Sequence, residues 1–179
     1  WSVADSDCNR LPTPNESCGS TENLNLKDII YIDFTKYPKW TNTVKVKNFN
    51  NCLKDVNEAS RHFFFIVDQL IPDIESYGSD IFTQKAKHCH ILQGKHAKIA
   101  KEIIRKIHGD KVLDDDSDIW ELAAKTEEIR LIGMFVNDTV RKFYPLLIDH
   151  HHLIYPSQKY NQFDYKKYEF TKDKIKSAK

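Results

Sequence analysis

Side chains able to do chemistry concentrate in two short stretches of the 179-residue chain. "KHCHILQGKH" holds His88, Cys89, His90 and His96, and "DHHHL" holds Asp149, His150, His151 and His152. Imidazole and thiolate are metal ligands, so both stretches invite a zinc centre and a metal-dependent hydrolase. Two ligands from one helix must share a face, which requires a spacing of three or four residues. No histidine pair within either stretch meets it; Asp149 with His152 does, as a lone pair. No metal is therefore expected, and His96, on an apolar helical face, reads as a core histidine held by one hydrogen bond. "LDDDSDIWE" sets Asp114, Asp116 and Asp118 at alternate positions like a calcium loop. Its sixth position is Ile119 and its twelfth Lys125, where such a loop needs Gly and Glu. The carboxylates suit a helix start instead. G-x-S-x-G, H-E-x-x-H, a phosphate-binding glycine loop and C-x-x-C do not occur, so neither enzyme chemistry nor a cofactor is expected.

The elements that would position these residues are read from apolar spacing. Phe49, Cys52, Val56, Ala59, Phe63, Ile66, Leu70 and Ile74 recur every three or four residues, a helical stripe that Pro72 should end or kink and Gly78 should stop. Phe82, Ala86, Cys89, Leu92, His96, Ile99, Ile103 and Ile107 predict a second helix of about seven turns, closed by Gly109. Asp118 with Glu121 forms a capping box for a third, with a stripe from Ile119 through Leu122, Ile129, Gly133, Val136 and Phe143 to Leu147, kinked at Pro145. Connections are short, so the expected fold is mainly α: an up-down-up bundle of three long helices. The expected organisation is an extended arm at 1–24, a single helical domain at 25–156, and an aromatic, Lys-rich tail at 157–179. The strand signals, "IIYIDF" (29–34) and "TVKVK" (43–47), allow a short β-hairpin near 29–47.

Four cysteines are present. In an antiparallel helical hairpin Cys52 and Cys89 lie about 22 Å apart along the axis, beyond disulfide reach of about 7 Å. The polar segment from Cys8 to Cys18 spans up to roughly 33 Å, so it is expected to act as a strap, each of its cysteines bonding one of Cys52 and Cys89. The alternative is a local Cys8–Cys18 loop with two buried thiols. Asn15 and Asn137 head N-glycosylation sequons, and the chain starts at Trp1 rather than Met. These features together predict a secreted, extracellular glycoprotein from which a signal peptide has been removed.

Formal net charge is +1, which gives no bulk attraction to nucleic acid, and no apolar run reaches the 18 or so residues of a membrane span. Opposite the apolar face of the second helix, Lys87, Lys98, Lys101 and Arg105 fall within about 40° of one line, with Lys95 nearby. That basic face could dock an extracellular protein or a sulfated glycan, or simply be solvated, or pair with the acidic stretch Asp110–Glu128. The function expected from the sequence is binding of another protein or anionic partner, in the manner of an inhibitor or effector. A carrier of a small apolar ligand in an aromatic core (Phe63, Phe64, Phe65, Phe135, Phe143) is the second expectation, and the hydrolase the third.

Overall fold

The computed structural model describes residues 29–126, 129–137, 140–156 and 163–176. Their strands are β1 (Ile30–Ile32), β2 (Lys45–Val46), β3 (Phe49–Asn50), β4 (His90–Ile91), β5 (Trp120–Ala123), β6 (Arg130–Asn137) and β7 (Arg141–Asp149). The helices are α1 (Val56–Phe65), α2 (Ile71–Tyr77), α3 (Gly94–His108) and α4 (Lys172–Lys176). A five-stranded sheet runs in the order β1-β7-β6-β5-β4, with β1 parallel to β7 and every other pair antiparallel. β2 and β3 form a separate antiparallel ribbon. The fold is thus mixed α/β, and the predicted all-α three-helix bundle is wrong.

The error has a physical cause. The predicted third helix is β5, β6 and β7, whose runs "IRLIGMFV" and "FYPLLI" are almost continuously apolar. A continuous run contains a three-four spacing along with every other spacing, and strands covered on both faces read that way. The polar interruptions "KTEE" and "NDT" part these runs in the sequence and carried the turn signal. Pro145 lies within β7 because the β6–β7 register slips between Ile132 and Gly133, opposite the proline. A Cβ on Gly133 would stand 2.1 Å from the Tyr144 carbonyl oxygen, so this close approach admits glycine alone.

The first predicted helix is found, starting later, at Val56, and shorter, because Phe49 and Cys52 precede it. Asp55 caps α1, its carboxylate accepting the Glu58 N–H at 2.9 Å, while Glu58 accepts the Lys54 N–H at 2.7 Å. A π-helical turn at Ile66–Leu70 leads from α1 into α2, so the chain continues past Pro72 at the start of α2, where a missing N–H costs little. Gly78 ends the run at φ 51°. The second predicted helix survives only as α3. Phe82, Ala86 and Cys89 precede it in turns, and Gly94 at φ 55° opens it. The hairpin expected near 29–47 is not formed as read: β1 joins the main sheet and β2 pairs with β3.

Alternation along the strands divides the core. Leu122, Leu131, Phe143 and Ile148 face Leu70 and Ile74 of the α1–α2 run. Ile132, Leu146 and Leu147 pack with Ala100, Ile103, Ile104 and Ile107 of α3 on the opposite face. The sheet therefore stands between two helical layers, an economical way to bury both faces. Ile129 is wholly buried in the first cluster, and Ile129→Ala is expected to cost about 2–4 kcal/mol in a urea titration, as for other buried large-to-small changes. A loss under about half a kcal/mol would move that side chain to the surface.

Candidate functional site

On the α3 side of the sheet, two charges stand inside apolar strands. Ala123 and Arg130 are opposed across β5 and β6, and Glu121, two residues back on the same face, is the diagonal neighbour of Arg130. The Glu121 Oε1 atom accepts from Arg130 Nε at 3.2 Å and lies 3.4 Å from His152 Nε2. Glu121 and Arg130 are 1% and 2% exposed, while Glu121 Oε2 is buried without a hydrogen-bond partner among the described residues. Burial acts to raise the Glu121 carboxyl, but the His152 hydrogen bond and the charges of His152, Arg130 and His90 outweigh it and hold it below the usual carboxylate value. Glu121 is thus a core charge and not the predicted capping residue.

Three imidazoles approach this carboxylate from three elements. His90 on β4 is directly opposed to Glu121, His96 comes from the first turn of α3, and His152 follows β7. The His96 and His152 rings lie 4.1 and 6.2 Å from the ring of Tyr155. Burial, then the charge of Lys95, holds the His96 imidazole below its ordinary value. His152 has a left-handed backbone at φ 55°, uncommon for any residue but glycine, though histidine is among the side chains that tolerate it. Asp149 builds that turn: wholly buried, it accepts the N–H of His151 at 3.2 Å and of Ile154 at 2.8 Å. Burial lifts the Asp149 carboxyl above its ordinary value against the pull of these backbone donors. The Asp149–His152 spacing seen in the sequence is therefore a turn, with the carboxylate as scaffold.

A second feature lies on the other side of the molecule. His62 Nδ1 and His150 Nδ1 are 3.1 Å apart, close enough that one ring must donate and the other accept. Burial, then the charges of His151 and Arg61, lowers His62 to about 4; burial and the neighbouring imidazoles hold His150 well below its ordinary value. His151 donates from Nε2 to the Cys52 carbonyl at 3.0 Å and stacks on Tyr165 at 4.3 Å. The His62–His150 pair borders a groove of about 460 Å³ lined by Phe34, Trp40, Phe63, Ile66, Val67 and Phe170. Beside it α1 presents Val56, Phe63 and Phe64 outward, and the π-helical turn Val67, 53, 60, 60 and 45% exposed. No group of three or more His, Cys, Asp or Glu that could hold a metal ion occurs among the described residues.

The predicted basic face is divided. Lys98, Lys101 and Arg105 line a broad groove of about 780 Å³ along α3, together with Glu102, Asp110 and Asp115. Arg105 pairs with Asp115 at 2.8 Å, Lys101 donates to the Asp115 carbonyl, and Glu102 pairs with Lys47 at 2.7 Å. Lys95 sits in the first turn of α3, and Lys87 lies in the turns before β4. Of the predicted aromatic core, Phe143 is buried, whereas Phe63 and Phe64 face solvent.

The disulfide strap is not formed at its inner end, because Cys52 and Cys89 are both buried free thiols. Each is packed as a small core side chain: Cys89 donates weakly to the Ala123 carbonyl at 3.6 Å, and burial pushes its thiol up to about 11. Cys8 and Cys18 lie outside the described residues, as does Asn15; Asn137 ends β6 and does not stand in a helix. Two buried thiols are what the alternative reading expects of Cys52 and Cys89, and its Cys8–Cys18 loop lies outside the described residues.

Arg130, the outward stripe and the pairing of His62 with His150 were missed, and Glu121 and Asp149 were named in the sequence for other roles, a cap and a ligand pair. Single charges inside apolar runs, as in "IWELAA" and "EIRLIGM", were the available signal for a buried ion pair. Three successive phenylalanines at 63–65 cannot all face one side of a helix, which was the signal for exposure.

These features define a mixed α/β protein with a two-sided sheet, an apolar groove on one side and a carboxylate–imidazole cluster on the other. A family described as "Uncharacterised protein UU032" matches residues 36–178, and the chain belongs to that family. It is 28% identical over 139 residues to "Uncharacterized protein UU032" of Ureaplasma parvum serovar 3 (strain ATCC 700970), a match that covers 75% of each chain. No solved structure matches. No helix among the described residues is long and apolar enough to cross a membrane.

Proposed function

We propose that this protein acts by binding another protein, and that its docking surface is the outward stripe of α1 with the groove beside it. The observation that carries this reading is the exposure of Val56, Phe63, Phe64 and Val67 along the run from α1 into α2, whose other side packs Ile66, Leu70 and Ile74 into the core. A helix apolar on both sides is normally covered on both, and contiguous exposed apolar surface marks interaction sites. The groove suits an inserted apolar side chain, the anchor-in-pocket arrangement of binding hot spots. A small apolar ligand fits the groove less completely as an explanation, since Val56 and Phe64 lie outside the lining and would stay in water.

This reading moves the docking surface away from the α3 face, where Lys101 and Arg105 engage Asp115. Phe63→Asp combined with Phe64→Asp is expected to abolish partner binding while leaving the thermal midpoint within a few degrees of the parent, because surface changes cost about half a kcal/mol or less. An organic extract of purified protein separates the carrier alternative: a stoichiometric apolar compound in that extract would replace protein binding by small-molecule carriage.

A further inference from the structure

The outward stripe is self-complementary. From α1 into the π-helical turn, Val56, Ser60, Phe63 and Val67 are all exposed and follow one another at four, three and four residues, the seam spacing of paired helices. Reversed, the series becomes Val, Phe, Ser, Val. A second copy laid antiparallel across it, on a two-fold axis between Ser60 and Phe63, therefore sets Val56 against Val67 of that copy and Phe63 against its Ser60. The Ser60 hydroxyl donates to the Val56 carbonyl at 3.0 Å, so it lies against its own helix and leaves a shallow place for a phenyl ring. We propose that the protein docked on α1 is a second copy of this chain, joined to the first by antiparallel pairing of the two stripes at 56–67. This rests on the reading of α1 as the docking surface and names its partner.

The flanking charges agree with that register. Lys54 and Asp68 are exposed at opposite ends of the stripe, and neither has an ion-pair partner among the described residues. The axis that pairs the apolar side chains also brings Lys54 of each copy beside Asp68 of the other, so both ends of the contact join opposite charges. Parallel helices would set lysine against lysine and aspartate against aspartate. Arg61 comes nearest the axis, where it meets its own counterpart and Phe64 of the second copy. Each Arg61 keeps Glu58 of its own helix at 3.8 Å, which offsets the like charge, and a cation beside an aromatic ring is favourable. Every contact then occurs twice, as in a closed two-fold dimer. Homodimer interfaces are also the more apolar class, which suits two adjacent phenylalanines each 60% exposed.

The test is sedimentation equilibrium of the full chain from about 1 to 100 µM, the range in which a moderate Kd is read directly. The parent is expected at twice its 21.0 kDa chain mass, and Phe63→Asp/Phe64→Asp at the single mass with unchanged circular dichroism. Lys54→Glu and Asp68→Lys change exposed side chains and should leave the fold intact. Each alone makes both ends of the contact like-charged, so each is expected to raise the dimer Kd about tenfold at low salt. Mixed in equal amounts, the two variants should regain the parent's Kd as a heterodimer, because each offers the charge the other lacks. A parent that stays monomeric to about 100 µM would overturn the second-copy assignment and leave α1 to a different protein. A dimer that survives Phe63→Asp/Phe64→Asp, or charge variants that pair no better mixed than alone, would overturn it as well. Failure of the α1 surface itself reads out separately, as equal retention of an extract protein by the parent and by Phe63→Asp/Phe64→Asp.

Discussion

Acidification from pH 7 to pH 4 is expected to remove several kcal/mol of stability. His62 titrates at about 4 in the folded chain because burial and the charges of His151 and Arg61 oppose its proton, whereas in an unfolded chain a histidine titrates near 6.5. Between those values the unfolded state binds a proton that the folded state refuses, so unfolding becomes easier as pH falls. The contribution is whole above about pH 6.5 and lost by about pH 4. It amounts to about 3 kcal/mol for His62, at 1.36 kcal/mol per pKa unit. His150, held lower still, extends the loss to more acidic pH. Asp149 acts in the opposite sense, since its raised value means that acid relieves a buried charge, so the curve should flatten at its acidic end. Urea midpoints measured at pH 7, 6, 5 and 4.5 should fall steadily, and His62→Phe should flatten that dependence. A midpoint constant over this range would mean that the His62 and His150 rings are solvated and not packed at the groove.

Removing one partner of the Glu121–Arg130 pair is the second large effect. Glu121→Ala leaves a guanidinium that is 2% exposed without its carboxylate, and Arg130→Ala leaves the carboxylate without its guanidinium. Each change is expected to cost about 3–5 kcal/mol, because the surviving charge stays buried after losing its partner of opposite sign across β5 and β6. Replacing both by apolar residues, Glu121→Leu with Arg130→Met, should recover most of that loss. A double-mutant cycle in denaturant measures the difference. Single variants costing under about 1 kcal/mol would show that water reaches the pair, and with it the Glu121 cluster.

What the sequence could disclose follows from which signals were local. The Gly78 stop, the α1–α2 stripe and the apolar face of α3 depend on neighbours three and four residues away; the stop and the α3 face stand in the structure, whereas of the stripe Ile66, Leu70 and Ile74 are buried and Val56 and Phe63 face solvent. Strand pairing joins residues distant in the chain, such as Ile30 with Arg141, and leaves no local trace. The helical spacing rule dismissed the histidines for a reason that does not apply here. His90 is on a strand and His152 in a turn, so their convergence on Glu121 is set by sheet register and not by helical period. The cysteines failed for the same cause: the 22 Å separation assumed a helical hairpin, and Cys52 and Cys89 belong to no such pair. Phe63 and Phe64 were counted with the core because apolar side chains usually go there, and only the position of α1 over the sheet shows which side of that helix stays open.

Docking through α1 is tested most directly by hydrogen exchange on captured complexes. Tagged parent, the Phe63→Asp/Phe64→Asp protein and a Lys98→Glu/Arg105→Glu protein are passed through the same source extract, and any retained protein is purified with each. The docking surface described above predicts one protein retained by the parent and by the α3 variant and absent from the α1 variant, with exchange slowed across Val56–Phe65 in the complex. Equal retention by all three proteins, or protection centred on Gly94–His108 in place of α1, would contradict it.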